Sequence, residues 1–283
     1  MRYFCGVLRL LYRALHCLGR DCRHRTGAVR EIQAAQPPHL PAFFQPLYLD
    51  SVTSTNDEMK QRARAGAAEG SLIVAREQRA GRGRGGRQWT SKPGNLYMSL
   101  LLRPPGSVGA VAQISFLAAV ALAEALLEVA PDLSPRLKWP NDVLIDGAKI
   151  SGILLESSAR SGGGVDWLVL GMGVNVAHHP EDAGQAATSL QAQGADNCTA
   201  FSLLATLAPA LLRWLDIWRG AGFAPLRQAW LERAAGLGGP LRVRLPNEEF
   251  SGIFRDLDGD GNLRVEMPDG AMRSITAGEI FLP

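Results

Sequence analysis

Gly236, Gly238, Gly239 and Pro240 divide the chain into two stretches of unlike character, and that division limits the folds open to it. Beyond it, Leu241 to Leu245, Phe250 to Asp256, Leu263 to Met267 and Met272 to Thr276 read as short strands. Asp258-Gly259-Asp260-Gly261-Asn262 and Pro268-Asp269-Gly270 read as the turns between them. About 45 residues in four or five such strands predict a small barrel, marginal alone and docked on a larger body. The Asp-Gly-Asp-Gly run has neither the spaced ligands nor the closing glutamate of an EF-hand loop, so it is read as a hairpin turn and not a calcium site.

Before the division, helices and strands alternate without strict βαβ order. Strands are predicted at Leu47 to Val52, Ser71 to Glu77 and Leu96 to Leu102, with a helix at Thr55 to Ala65 and a Gly/Arg loop from Arg79 to Gly94. One long apolar helix is expected from Val108 to Ala130. Strands follow near Arg136 to Trp139, Val143 to Ile145, Lys149 to Ser157 and Asp166 to Asn175, and then helices at Phe201 to Trp218 and Ala224 to Ala234. The fold class is therefore α+β, a mixed sheet followed by the small barrel. Pro37-Pro38, Pro41 and Pro46 mark an extended linker. Three regions result: a basic extension over residues 1–45, a main domain over 46–236 and the barrel over 237–283.

Charge narrows the function. The formal net charge is +3, yet the first thirty residues hold seven arginines against the single acid Asp21, leaving 23 basic and 26 acidic residues for the rest. A mildly acidic body argues against a broad nucleic-acid footprint, so any anion site is local. Of four cysteines, Cys5, Cys17 and Cys22 are N-terminal and Cys198 stands apart, which excludes a disulfide framework; Cys17, Cys22 and His24 lack the paired spacings of zinc ligands. No stretch is expected to be long and apolar enough to span a membrane, since Arg9 and Arg13 interrupt the most hydrophobic N-terminal run. Leu8, Leu11, Leu15 and Leu18 recur at helical spacing there, as in an amphipathic presequence or a dispensable extension. A soluble, cytoplasmic protein is expected.

The segment Gly81-Arg82-Gly83-Arg84-Gly85-Gly86-Arg87, followed by Trp89, lies in a loop between two predicted strands. Glycines let the backbone approach a ligand, while the arginines supply forked donors for phosphate or carboxylate. Alone it is equally an RNA-contacting loop or a solvated turn. Ser54-Thr55-Asn56 sits at a predicted helix start, where a capping role accounts for one residue without any ligand. Lys138-Trp139-Pro140-Asn141-Asp142, Lys149-Ile150-Ser151-Gly152-Ile153-Leu154-Leu155-Glu156 and Gly171-Met172-Gly173-Val174-Asn175 each end or open a strand.

Taken together and in this order, these segments resemble the biotin protein ligase family from about Ser51 to Asn175, with weaker similarity onward to the C-terminus. The resemblance implies that Ser54, Thr55, Asn56 and Gln78 hold the biotin ring system. It makes Arg82, Gly83 and Arg84 the ligand contacts of an adenylate-covering loop, with Arg84 also catalytic. Lys149 matches the catalytic lysine that meets the biotin carboxylate and the α-phosphate. Trp89, Lys138, Asn141, Asp142 and Asn175 are placed on the nucleotide side, with the metal ligands unassigned. The substrates and cofactor implied are ATP, biotin and Mg²⁺. The partner implied is a biotin carboxyl carrier protein or domain of acetyl-CoA carboxylase or another biotin-dependent carboxylase. A seven-stranded catalytic sheet with a C-terminal SH3-like barrel is implied as well. Members that repress transcription carry an N-terminal winged helix-turn-helix; the N-terminal segment here shows no pair of helices around a Gly turn, so no sequence-specific DNA binding is expected.

Charge logic agrees with that family's chemistry. Joining a carboxylate to an α-phosphate forces two anions together, which Lys149, Arg84, Arg82 and Mg²⁺ are suited to neutralise. Two rivals remain: a lipoyl or octanoyl transferase or ligase of the same superfamily, and a nonenzymatic RNA-binding module using the Arg/Gly loop.

Overall fold

The computed structural model describes residues 36–106, 108–181 and 184–283, and Gln36–Pro283 forms one compact unit. The expectations for the first thirty residues, including the amphipathic leucines, the Cys17/Cys22/His24 cluster and the lack of a helix-turn-helix, lie outside the described residues.

The chain opens with strand β1 (Gln45–Val52), helix α1 (Thr55–Arg64) and strand β2 (Ser71–Gln78), with β2 parallel to β1. A parallel pair needs a crossover, and α1 supplies it. Ser54 caps α1, accepting from the Asp57 N–H at 3.4 Å, while Asp57 and Glu58 in the first turn and Arg62 and Arg64 in the last complement the helix dipole. Strand β3 (Leu96–Leu102) is buried at every position, as a central strand covered on both faces must be.

Helices α2 (Val108–Ala112) and α3 (Ile114–Val129) come next, then β4 (Arg136–Lys138), β5 (Asp142–Ile145), β6 (Ala148–Ala159) and β7 (Val165–Val174). Helices α4 (Ala200–Ala221) and α5 (Phe223–Leu231) complete the main body. Its seven strands run in the order β1-β2-β3-β7-β6-β5-β4, antiparallel apart from the first pair. This is the mixed seven-stranded sheet expected.

Two expectations need correction. The helix foreseen from Val108 to Ala130 is two helices, separated at Gln113, whose side chain accepts from Trp218 Nε1 at 2.9 Å and donates to the Gly259 carbonyl at 3.4 Å. Those partners lie in α4 and in the C-terminal region, while the Gln113 backbone itself stays in the right-handed helical region (φ −61°, ψ −21°). The claim that no stretch is long and apolar enough to cross a membrane also fails: Gly109–Val129 (21 residues, mean hydropathy 2.0) and Ala200–Ala221 (22 residues, 1.4) both are. Their apolarity serves the interior. The first is 78% buried, and α3 and α4 pack together over one face of the sheet in a continuous core.

The last five strands, β8 (Pro240–Arg244), β9 (Glu249–Leu257), β10 (Leu263–Glu266), β11 (Met272–Ile275) and β12 (Glu279–Phe281), form an antiparallel sheet in the order β11-β10-β9-β8-β12. The Asp258–Asn262 turn between β9 and β10 is the expected hairpin connection. Asp258 accepts from the backbone of Asp260 and Asn262 and from Asn262 Nδ2 and Ser274 Oγ, so its lone pairs are taken by its own turn and its neighbour strand. The turn also docks this sheet: Trp139 Nε1 donates to the Gly261 carbonyl at 3.1 Å, and Trp230 of α5 stands between Phe116 and Phe254.

The core reaches upstream of β1. Leu40 and Phe44 are buried within the main cluster, and the Phe44 N–H donates to the Pro41 carbonyl at 2.9 Å. A chain shortened to begin at Gln36 is expected to melt like the Gln36–Pro283 unit it preserves. One beginning at Gln45, just past a start near Phe44, should lose about 3–6 kcal/mol of stability with those two side chains. Chemical denaturation of the two truncations decides this, and equal midpoints would show that residues 36–44 are peripheral.

Candidate functional site

Side-chain alternation along β7 builds the site. Trp167 and Val169 face α1, where they pack with Met59 and Ala63 and with Ile73 and Leu101 of β2 and β3. Continuing along that face, the next two positions are Gly171 and Gly173. On the neighbouring strand Gly152 pairs with Gly173 and Leu154 with Gly171. The sheet is therefore bare at Gly152, Gly171 and Gly173, just beyond the end of α1 cover, and a cleft of about 1280 Å³ opens there. That exceeds the roughly 300–1,000 Å³ of a single-ligand pocket, leaving room for two ligands side by side.

Every residue singled out in the sequence lines this one cleft: Ser54, Thr55, Asn56 and Gln78; Arg82, Gly83, Arg84 and Trp89; Lys138, Asn141, Asp142, Lys149 and Asn175. Ser54, Thr55 and Asn56 come from the start of α1. The Thr55 N–H and hydroxyl both donate to Gln78 Oε1, at 2.8 and 3.1 Å, and Gln78 Nε2 donates to Ser91 Oγ at 3.0 Å. Asn56 is engaged at both ends of its amide. Its Oδ1 accepts from Ser99 at 2.6 Å and its Nδ2 donates to Glu156 at 2.9 Å, while a Cβ on Gly171 would come within 2.1 Å of that Oδ1. Asn56 thus rests on the bare strand, and its contribution is the shape of the slot.

The Gly/Arg loop is a small hairpin. Arg82 bridges Gln88, the Gly83 N–H donates to the Arg87 carbonyl at 2.7 Å and the Trp89 N–H to the Gly81 carbonyl at 2.9 Å. Gly85 and Gly86 turn its tip with φ of 63° and 76°, a region closed to most side chains. Arg84 leans inward to donate to Asn141 Oδ1 at 3.1 Å, and Asn141 in turn donates to the Ile153 carbonyl at 2.7 Å. Burial pushes the Arg84 guanidinium below its ordinary range, with Asp142 opposing that trend. Lys138 is pushed down the same way, by burial first, with Asp142 again opposing. Both are cations stripped of water in a cleft, and a bound anion would restore their lost solvation.

Lys149 enters from the start of β6. Its Nζ lies 2.6 Å from Asp142 Oδ1, an ion-pair contact without hydrogen-bond alignment, and 5.6 Å from the centre of the Trp89 ring. Its backbone is fixed by bonds from its N–H to the Ala186 carbonyl and from the Thr188 N–H to its own carbonyl. Asn175 ties the same segment to β7, donating through Nδ2 to the Thr188 carbonyl at 3.0 Å. The Trp89 indole lies over Gly173, and its buried Nε1 has no hydrogen-bond partner among the described residues. A buried donor left open in this way suits an acceptor on a ligand.

Several participants were not assigned from the sequence. The cleft is closed at one end by the C-terminal sheet, where Glu279 pairs with Arg87 at 2.6 Å and Arg244, Phe281 and Leu282 reach the lining. No local pattern marks a contact between residues so far apart in sequence. Ser99 did carry a signal, a hydroxyl inside the otherwise apolar run Leu100, Leu101 and Leu102 that follows it. Among the described residues no group of three or more His, Cys, Asp or Glu side chains is placed to hold a metal ion.

With this geometry in hand, comparison with known proteins is direct. Residues 44–232 match the model of the Biotin/lipoate A/B protein ligase family, and residues 236–282 that of the Biotin protein ligase C terminal domain. The chain is 44% identical over 235 residues to a biotin–[acetyl-CoA-carboxylase] ligase of Paracoccus denitrificans, covering 81% of this chain and 96% of that protein. A biotin protein ligase from Aquifex aeolicus, solved in complex with biotin and ATP, superposes with a TM-score of 0.73 at 27% identity, covering 84% of this chain and 97% of that one. The Leishmania major biotin protein ligase bound to biotinyl-5-AMP gives 0.57 at 28% identity, covering 82% and 99%.

The bare face of β7 makes a testable demand. A Cβ at Gly173 would lie 2.5 Å from Trp89 Nε1, so Gly173→Ala must displace the indole. The variant is expected to fold with a loss of about 1–3 kcal/mol and an altered near-ultraviolet circular dichroism spectrum. An unchanged spectrum would mean that Trp89 does not rest on this strand.

Proposed function

The chain belongs to the biotin protein ligase family, and on that premise we propose how its cleft carries out an ATP-dependent ligation of biotin to protein. Biotin is activated as biotinyl-5'-AMP and then transferred to a lysine of an acceptor. The observation that carries the assignment of roles is the convergence of amides, hydroxyls and desolvated cations on one glycine-floored cleft.

Biotin occupies the end built by Ser54, Thr55, Asn56 and Gln78. An uncharged bicyclic ring needs a shaped slot with a few directed hydrogen bonds, and these side chains give that without net charge. Thr55 and Gln78 orient each other, and Asn56 sets the floor. ATP occupies the end lined by Trp89, Lys138, Asn141, Asp142 and Asn175. A carboxylate oxygen of biotin bonds to the α-phosphorus, the bond to the bridging oxygen breaks, and pyrophosphate leaves with its electron pair. Lys149, at the boundary between the two ends, neutralises both anions as they approach, and Arg82, Gly83 and Arg84 close over the product. In the second step the neutral amine of an acceptor lysine attacks the biotinyl carbonyl, AMP departs, and a proton is released to solvent or to Asp142.

Asp142 is the one carboxylate beside Lys149, which fits Mg²⁺ held chiefly by phosphate oxygens and water with a single protein ligand. When bound, the ion would add positive charge on the phosphates. The acceptor is proposed to be a biotin carboxyl carrier protein or domain. Residues 46–236, whose core Leu40 and Phe44 complete, form the catalytic domain and 237–283 the C-terminal domain that closes its nucleotide end.

Biotin-dependent exchange of pyrophosphate into ATP, with lipoate as control, tests this reading. Exchange with lipoate and none with biotin would overturn it. Lys149→Ala should keep the fold and lose about 2–4 kcal/mol of transition-state stabilisation, a fall of roughly 30- to 1,000-fold in exchange. Exchange at the wild-type rate would remove Lys149 from the mechanism. Arg84→Gly should instead weaken retention, because Lys149 still neutralises the reacting centre while the loop loses its forked contact. Faster dissociation of biotinyl-adenylate in the absence of acceptor is the expected signature, and an unchanged dissociation rate would reduce Arg84 to a loop residue.

A further inference from the structure

Beside the biotin slot, Asp57, Lys60 and Glu156, to which the reaction assigns no role, form a charged network with Arg82 of the loop. Arg82 Nη2 lies 2.6 Å from Asp57 Oδ1 and 3.5 Å from Glu156 Oε2. Lys60 Nζ lies 2.9 Å from Asp57 Oδ1 and 2.6 Å from Glu156 Oε1. The Asp57 carboxyl sits below its ordinary range: burial pushes it up, and the contacts with Lys60 and Arg82 outweigh that. Lys60 is raised despite burial, through Glu156 and Asp57. Glu156 also holds Asn56 Nδ2, so one carboxylate serves both the loop and the floor of the slot.

The two loop arginines are thus in opposite situations. Arg82 already has its counter-charges on α1 and β6, whereas Arg84 has a neutral amide for a partner and is desolvated. Between Arg82 and Arg87 the tip turns on Gly85 and Gly86, around which a Cβ would meet nothing within 4 Å. The base of the hairpin is held by Arg82 on Asp57 and Glu156, and its far side by Arg84 on Asn141 and Arg87 on Glu279.

We propose that Asp57 and Glu156 are positioning residues that act through Arg82, anchoring the base of the Gly/Arg hairpin to the start of α1 and to β6 so that the loop is held beside the biotin slot. This rests on the reading of the cleft as a biotin and ATP site. It makes the Arg82 guanidinium a structural anchor, leaving phosphate neutralisation to Arg84 and Lys149.

The test uses the full chain with Asp57→Asn and Glu156→Gln, both close in shape to the native residues, Asp57→Glu as the conservative replacement, and Arg82→Gln as reference. Without substrates, trypsin cleavage within the hairpin should quicken by roughly three- to sixfold in Asp57→Asn, the factor expected for one partly exposed ion pair, and return toward wild type in Asp57→Glu. In pyrophosphate exchange, KM for biotin should rise by a similar factor with kcat within about twofold. The double variant Asp57→Asn/Arg82→Gln should be no worse than Arg82→Gln alone. Wild-type cleavage and KM in Asp57→Asn, or effects of Asp57→Asn and Arg82→Gln that simply add, would overturn the anchor. If the wild type shows no biotin-dependent exchange, the assignment of substrates falls, and the proteolysis arm still decides whether the anchor exists.

Discussion

Close approach to a side-chainless stretch of β7 is the contact on which the rest of the site depends. Trp167 and Val169 hold α1 on the sheet, and Gly171 and Gly173 leave the same face empty one step further along. Asn56 and Trp89 settle into that gap from two different segments, the helix start and the far leg of the Gly/Arg hairpin. A methyl group at either glycine would overlap them. Two recognition elements distant in sequence are therefore brought to a common floor by an absence of atoms, in a core otherwise packed to high density.

Charge is arranged around that floor in graded fashion. At the α1 end, Asp57, Lys60, Arg82 and Glu156 satisfy one another. At the other end Arg87 is matched by Glu279 of the C-terminal sheet. Between these paired ends stand Arg84, Lys138 and Lys149, facing Asp142 and, for Arg84 and Lys138, Glu279 as well. Excess positive charge is thus confined to the middle of the cleft, where carboxylate and phosphate must be brought together. A chain whose body is mildly acidic achieves this only by pairing its other cations locally.

The C-terminal sheet contributes more than a lid. Its Asp258–Asn262 turn inserts beside Phe116 and Trp139, and Gln113 reaches it at the point where α2 and α3 part. The Gln113 side chain, between α2 and α3, thus joins this apolar run both to α4 and to the second sheet.

Much was legible in the sequence. Strand periods placed all seven strands of the main sheet within two or three residues, because a strand with one or two buried faces must write its burial into residue type. The Gly/Arg loop stood out by its composition, whereas Lys149 and the Ser54-Thr55-Asn56 segment were recognised only together with it, through the family resemblance. Other features were not legible. The glycines of β7 read as ordinary strand-end residues, since only strand pairing and the extent of α1 reveal which face they empty. Nothing local marked the meeting of Asp57, Lys60 and Glu156, the Lys60–Glu156 pair being 96 residues apart. The stretches Gly109–Val129 and Ala200–Ala221 were not read as long and apolar enough to cross a membrane, although both are, and the packing of α3 and α4 over the sheet accounts for their composition. Sequence alone thus established the kinds of group available and the elements that carry them, because periodicity and residue chemistry are local. Tertiary structure decided which groups meet, since register, strand order and the docking of the second sheet depend on contacts that no local stretch encodes.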